Sequence, residues 1–520
     1  MSDGYLTDTP YTWGFYAELN PVFLNYVCLL NGHTPRPLDQ PFVYCDLGCG
    51  NGVTIAALAQ LFPHAKFVGV DFNAQHIANA TKLAADAGLT NVEFFQADFA
   101  ELKARGLPEF DFIVLHGVYS WVDPERRDNI REFLKTHVKP AGIVYVSYDT
   151  MPGWAALAPL RELMVQHTRH LVTDSATKAQ AGLDFITYLR NNKAGFFEDN
   201  PPLAAFVDEI SKQSLSYVAH EFFGGAIKPY YFREVASEMR SAGLTYSGSA
   251  LLHLNFIDIA VPQEFRSLLA KSTSRHEFEG NGDFIRNQRF RKDVFVMSRE
   301  PGGHGGEPAL KPAQQAAALA EIPFATLCSA ASFKREHRFG DVELKFVADV
   351  FERVIEACAG GAKSVNQLVQ IDGLSAYGPE LLTDAIRFLS VGRQLVPVTR
   401  ATTAPTPAAL SAERYNFPAR LNISLLKTRL LRQPAIGLVA PRTGLGIEVA
   451  MVDALFALCS AEAKRDSVGG WAYRRLLESG QEMIFEGGGT ELAAVETALA
   501  TFRSQRLSKF IELGILEPAS

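Results

Sequence analysis

The stretch Phe42-Val43-Tyr44-Cys45-Asp46-Leu47-Gly48-Cys49-Gly50-Asn51-Gly52 decides the fold. A short apolar run delivers Asp46 into a turn with glycines at 48, 50 and 52, and the apolar sequence from Val53 to Leu61 reads as a helix aiming its N-terminus at that turn. The glycines let the backbone turn tightly and approach a ligand with no Cβ in the way. Strand, glycine-rich turn and helix in that order make a cradle for a nucleotide-like cofactor. The spacing G-x-G-x-G departs from the dinucleotide fingerprint, whose third glycine falls one position later.

Outward from this loop the period alternates between strand and helix. Strands are predicted at 67–71, 92–96, 111–116 and 143–148, with helices at 74–87, stopped by Gly88, and at 125–138. Near-continuous apolar strands such as Phe112-Ile113-Val114-Leu115 belong to a sheet covered on both faces, so the fold class is α/β, a doubly wound Rossmann-like sheet. Between about 155 and 232 helical periodicity takes over, which predicts a helical insertion. Strand character returns at 244–261 and 293–297, closing a domain over 1–299. The run Pro301-Gly302-Gly303-His304-Gly305-Gly306 reads as a linker (300–311), followed by a helical middle domain (312–398), an Ala/Thr/Pro linker (399–412) and a helical C-terminal domain (413–520).

Composition narrows the function classes. At 47% hydrophobic and 21% charged residues, the chain has the balance of a soluble globular protein. Its net charge of -7 argues against a nucleic-acid partner, and the local group Arg286, Arg289, Arg291 and Lys292 reads as a solvated strand edge. Six cysteines without pair spacing suggest neither disulfides nor a metal, and fit a reducing cytoplasm. A polar N-terminus and the lack of an apolar run of about 20 residues predict neither export nor a membrane anchor.

Two acids add to the loop. Asp71 closes the second strand, where a carboxylate accepts ribose hydroxyls, and Asp98 follows the third, where one can take an amine hydrogen of adenine. With the fourth-strand exit His116-Gly117-Val118-Tyr119-Ser120-Trp121-Val122, this pattern resembles a class I methyltransferase using S-adenosylmethionine. Tyr5 to Tyr11, Val146 to Trp154, Tyr217-Val218-Ala219-His220-Glu221 and Pro229-Tyr230-Tyr231-Phe232 further resemble bacterial enzymes that carry a methyltransferase regulatory domain, among them rickettsial protein lysine methyltransferases acting on an outer-membrane protein. The C-terminal part resembles them through Pro441-Arg442-Thr443-Gly444-Leu445-Gly446. After Tyr148, where the resemblance leads one to expect asparagine, stands Asp149.

The resemblance implies a cofactor site of Asp46, Gly48, Cys49, Gly50, Asn51, Gly52, Asp71, Phe72, Asp98, Phe99, His116 and Tyr11. Tyr119, Tyr148, Asp149 and His116 are then the candidate catalytic residues, and Trp121, Trp154, Trp13 and Tyr16 the candidate substrate wall. For each aromatic the alternative is core packing. A lysine acceptor must lose its proton, which costs about 4.6 kcal/mol at pH 7 from a pKa of about 10.4. An aromatic wall with one or two polar acceptors lowers that cost by desolvating the amine. His220-Glu221 resembles half of a metal motif, but no second histidine follows at helical spacing, so a structural or partner-contact role is expected. The helix face Leu160, Leu163, Met164, His167 is either an internal core surface or a homodimer seam. The function expected is transfer of a methyl group to a protein lysine; a small metabolite or saccharide acceptor, and a cofactor-sensing protein without turnover, are the alternatives.

Overall fold

Seven strands form one sheet in the computed structural model, which describes residues 13–225, 227–298, 310–327, 329–339, 342–480 and 491–519. They are β1 (Val43–Leu47), β2 (Lys66–Asp71), β3 (Val92–Gln96), β4 (Phe110–Leu115), β5 (Val138–Asp149), β6 (Leu244–Ser249) and β7 (Phe290–Met297). The spatial order is β3-β2-β1-β4-β5-β7-β6, the first five parallel and β7 antiparallel to both neighbours. That reversed strand separates the sheet from the dinucleotide-binding order 3-2-1-4-5-6.

Alternation along the strands divides the core into two layers. Tyr44, Phe67, Phe112, Val114 and Tyr145 pack beneath α1 (Pro21–Leu30) and α2 (Val53–Leu61), whereas Cys45, Val68, Ile113, Val144 and Tyr148 face the opposite layer. The third helix, α3 (Ala74–Ala87), is capped by the Asn73 side chain and ends at Gly88 in the left-handed region. The helix after β4, α4 (Pro124–His137), packs on the second layer.

The insertion is helical as expected: α5 (Leu157–Thr168), α6 (Ser175–Asn191), α7 (Gly195–Glu198), α8 (Pro201–Ile210) and α9 (Leu215–Phe223) enclose their own apolar core. Leu160 and Met164 are fully buried in it, and His167 stacks on Phe185 at 3.7 Å, so that helix face is internal packing. After α10 (Phe232–Ser241) the expected strand over 244–261 is only β6; Asn255 bonds the backbone N–H and C=O of Ser249, turning the chain into helical turns at Leu252–Asn255 and Ile257–Ala260.

The C-terminal half is less purely helical than the sequence suggests. Phe324–Thr326 pairs with Leu395–Pro397, and Ala435–Ala440 with Leu445–Ala450. The latter hairpin shares one core with Val53, Ala57, Leu83 and Ala87 of the sheet domain. The 399–412 segment is tied down, Thr402 bonding Ala362 N and Glu512 Oε1, each at 2.9 Å. The glycine-rich run 301–306 lies outside the described residues. Among the described residues no helix is long and apolar enough to cross a membrane.

The basic group near β7 is not a solvated edge. Arg291 is fully buried, and its guanidinium donates to Asp293 Oδ2 (2.9 Å), Asp283 Oδ1 (2.6 Å) and Glu279 Oε2 (3.0 Å) over the ring of Phe232. Lys292 instead pairs with Glu18. Replacing Arg291 by methionine leaves buried carboxylates without their counter-ion and is expected to cost about 3–5 kcal/mol in urea unfolding.

Candidate active site

The glycine loop after β1 has φ of +88° at Gly48, +53° at Gly50 and +72° at Gly52. A Cβ would lie 2.4 Å from Val118 at Gly48 and 2.5 Å from Ala80 at Gly52, so only glycine fits either position. The N–H groups of Gly48 and Cys49 both donate to Val70 O, at 2.7 and 3.0 Å, folding the loop against the end of β2. There Asp71 Oδ2 accepts from Gly50 N at 2.9 Å, while Oδ1 accepts from Asn73 N at 2.9 Å. Asp71 is thereby both part of the loop and part of the pocket wall, and a carboxylate retains lone pairs beyond these two bonds.

Two cavities meet at this loop, and a third adjoins them at His116. The first, about 500 Å³, is lined by Gly48, Gly50, Asp71, Phe72, Asp98 and Phe99, with Arg126 across from them. Asp98 Oδ1 caps the turn Phe99–Ala104 through Ala100 N (3.0 Å), and Oδ2 accepts from Arg126 Nε at 2.8 Å. The second, small cavity lies among Asp46, Cys49, Asn51, Gly52, Tyr16 and Leu19. Burial and the neighbouring Asp71 push the Asp46 carboxyl up to about 7. The third, about 440 Å³, is walled by Tyr16, Trp121, Trp154, Phe206, Tyr217 and Phe222, and carries Asp149, Glu209 and Glu221.

His116 borders all three cavities. Its ring lies 3.9 Å from that of Tyr16, and Nδ1 is 2.9 Å from the Tyr145 hydroxyl. Burial lowers its pKa to about 4, so the imidazole is neutral at physiological pH.

The segment over the small cavity is clamped from the far end of the chain. The Phe15 ring fills the space a side chain would take at Gly437 and Gly446, Asn20 Nδ2 donates to Gly444 O at 2.8 Å, and Arg429 sits 4.3 Å above the Trp13 ring. Tyr16 N in turn donates to Thr54 Oγ1 at 3.1 Å. Trp13 therefore serves this clamp and lines none of the three cavities. Tyr11 lies outside the described residues.

Two of the expected catalytic residues point elsewhere. Tyr148 donates to Asp293 Oδ2 at 2.6 Å, and Tyr119 donates to Glu238; both rings are buried in the layer under α4 and α10. The cause is strand parity: Asp149 turns toward the third cavity and its neighbour Tyr148 toward the opposite face. Asp149 is held there by the Trp154 indole, whose Nε1 donates to Oδ1 at 2.8 Å. His220 and Glu221, expected to serve a structural or partner-contact role, line the same cavity from α9. Their signals in the sequence are the motif Tyr217 to Glu221 and their position one helical turn after Tyr217. Among the described residues no cluster of three or more His, Cys, Asp or Glu suits a metal ion.

Left-handed glycines, a carboxylate at the end of β2 and another after β3 fit S-adenosylmethionine: Asp71 and Asp98 line the first cavity and Asp46 the small one, and these are the residues that would hold it. When bound, this cofactor supplies an electrophilic methyl group on a sulfonium. Residues 38–186 match a family described as a methyltransferase domain, and residues 214–297 one described as a predicted methyltransferase regulatory domain. The uncharacterised protein sll1526 of Synechocystis sp. is 32% identical over 525 residues, covering 99% of each chain. The chain belongs to this methyltransferase family. It is an S-adenosylmethionine-dependent enzyme.

This methyltransferase is also 29% identical to the uncharacterised protein RP789 of Rickettsia prowazekii over 291 residues, 55% of this chain and 52% of that one. Its fold is shared end to end with PKMT2 from Rickettsia typhi, solved in complex with AdoHcy, at TM-score 0.76 and 20% identity over 98% of this chain and 100% of that one.

Two outcomes test the cofactor assignments. Asp71→Ala removes charged hydrogen bonds of about 1.5–3 kcal/mol, so calorimetry should show the dissociation constant for S-adenosylmethionine rising about 10- to 100-fold. Because Asp46 ionises only near pH 7, affinity for this cation should tighten from pH 6 to pH 8, by up to about tenfold, and Asp46→Asn should flatten that dependence.

Proposed function

We propose that the enzyme methylates a lysine side-chain amine of a protein substrate. The observation that carries this reading is the third cavity: an aromatic-walled chamber sharing His116, Gly117 and Trp121 with the cofactor cavity and carrying the carboxyls of Asp149, Glu209 and Glu221. Aromatic faces and carboxylates attract an ammonium group and repel a carboxylate acceptor. Burial of the arriving amine lowers its pKa toward neutrality, so the neutral nucleophile forms more readily than in water. One cation, Arg289, also borders the chamber; its guanidinium lies 5.6 Å from the Phe206 ring, leaving the acids in excess.

A protein acceptor is supported by the size of the structure around the chamber, since a macromolecule needs contact area beyond its reacting side chain. Likeness to PKMT2, a Rickettsia protein lysine methyltransferase, points the same way. Free thiols at Cys28, Cys45, Cys49, Cys358 and Cys459 suit a reducing cytoplasm.

The test uses tritiated S-adenosylmethionine with a dialysed bacterial protein extract. Label is expected in acid-precipitable material and, after hydrolysis, in methylated lysines. Label that appears only with undialysed small molecules would replace the protein acceptor by a metabolite.

A further inference from the structure

The segment matched as regulatory does more than flank the sheet. Residues 214–297 include Tyr217, His220, Glu221, Phe222 and Phe290, five of the residues lining the acceptor chamber, as well as β6 and β7. The segment therefore builds one wall of the reaction chamber, and its acidic side chain there is Glu221 on α9.

Opposite it stands Asp149, at the end of β5 and 4% exposed. The two acids differ in support. Asp149 is fixed by the Trp154 indole N–H, a bond to its charged form, whereas Glu221 projects from the last turns of a helix that lies against α5 and α6. Two carboxylates in one desolvated chamber resist ionising together, so the less well stabilised member has the higher proton affinity and, once ionised, is the better base. We infer that Glu221 accepts the proton of the acceptor ammonium, while Asp149 stays ionised and positions it; this rests on the amine-acceptor reading.

The balance is simple. The ammonium gives one proton to the Glu221 carboxylate, which becomes the carboxylic acid. The freed nitrogen lone pair forms the N–CH3 bond as the S–CH3 bond breaks, the bonding electrons stay on sulfur, and the positive charge passes from sulfur to nitrogen. His116, held neutral at the junction, lets the methyl group pass without adding a cation beside the sulfonium.

The environment agrees with this division of labour. Burial, then Asp149, pushes the Glu221 carboxyl up to about 8, while burial raises Asp149 to about 7 against the bonds from Trp154 and Ser120. The groups facing Glu221 are Asp149 from β5, Glu209 from α8, Tyr217 and His220 from its own helix, Arg289 before β7, and Tyr16 and His116 across the chamber. An acid with a pKa near the working pH is the kind of base that proton transfer requires.

The experiment follows tritium transfer to the dialysed extract from pH 6 to pH 10 for wild type, Glu221→Gln and Glu221→Asp. AdoHcy affinity by calorimetry serves as the check on folding. Expected is a wild-type rise in kcat/KM through about pH 8, a fall of about 100-fold in kcat for Glu221→Gln with that inflection lost, and partial activity for Glu221→Asp, all with unchanged AdoHcy binding. A Glu221→Gln enzyme with wild-type kcat and pH profile overturns the inference and leaves the amine reading standing. Should Glu221→Gln lose AdoHcy binding, Glu221→Asp decides: a reduced kcat with a shifted inflection supports the inference, and wild-type kcat with the wild-type inflection overturns it. Wild-type enzyme that labels no lysine in the extract overturns the amine reading and the inference with it.

Discussion

Parallel pairing of β1, β4 and β5 sets the geometry of everything that follows. With Asp46 beside Val114 and Val114 beside Tyr145, the carboxyl ends of three strands are brought to one edge. Asp46, His116 and Asp149 emerge there within a few residues of each strand's end. Open α/β sheets bind ligands at this edge because the strands end and the connecting loops diverge, leaving a crevice with backbone groups directed into it. Here the crevice is divided into three cavities, with His116 at their common boundary.

Charge is handled differently on the two sides of the sheet. Beneath β7, buried Arg291 is paired with Glu279, Asp283 and Asp293, and these ion pairs hold β7 to the helix Arg275–Arg286. In the third cavity Asp149 and Glu221 both line the wall, with carboxyl groups pushed upward by burial. A paired cluster specifies structure; carboxylates left in excess beside a cavity are available for chemistry. Tyr148 and Asp149, adjacent in sequence, fall on opposite sides of this division.

The two ends of the chain also meet at the cofactor loop. The motif Pro441 to Gly446, noted in the sequence only for its resemblance, forms the turn between hairpin strands where Gly444 and Gly446 receive Asn20 and Phe15. Large residues at 437 and 446 would occupy the space of the Phe15 ring, so their glycines secure the segment from which Tyr16 covers His116. The C-terminal region is thus mechanically joined to the cofactor site, and its core is continuous with α2 and α3.

The sequence by itself determined the sheet, the glycine loop and its acids, because local rules govern them: apolar runs alternating with helical periods, left-handed turns that require glycine, and carboxylates at strand ends. It also determined the helical insertion, through apolar periodicity. Only the tertiary structure decided which aromatics face the chamber. Tyr148 lies at the end of β5 but points into the core, since side-chain direction reverses at each strand residue, and Tyr119, in the turns after β4, is buried in the same layer with its hydroxyl on Glu238. It likewise decided that Arg291 is buried, that Glu221 reaches Asp149, and that Phe15 rests on a hairpin more than 400 residues away in the chain, as the separation of 424 between Asn20 and Gly444 shows. Contacts of that kind join segments remote in sequence, and no local period records them.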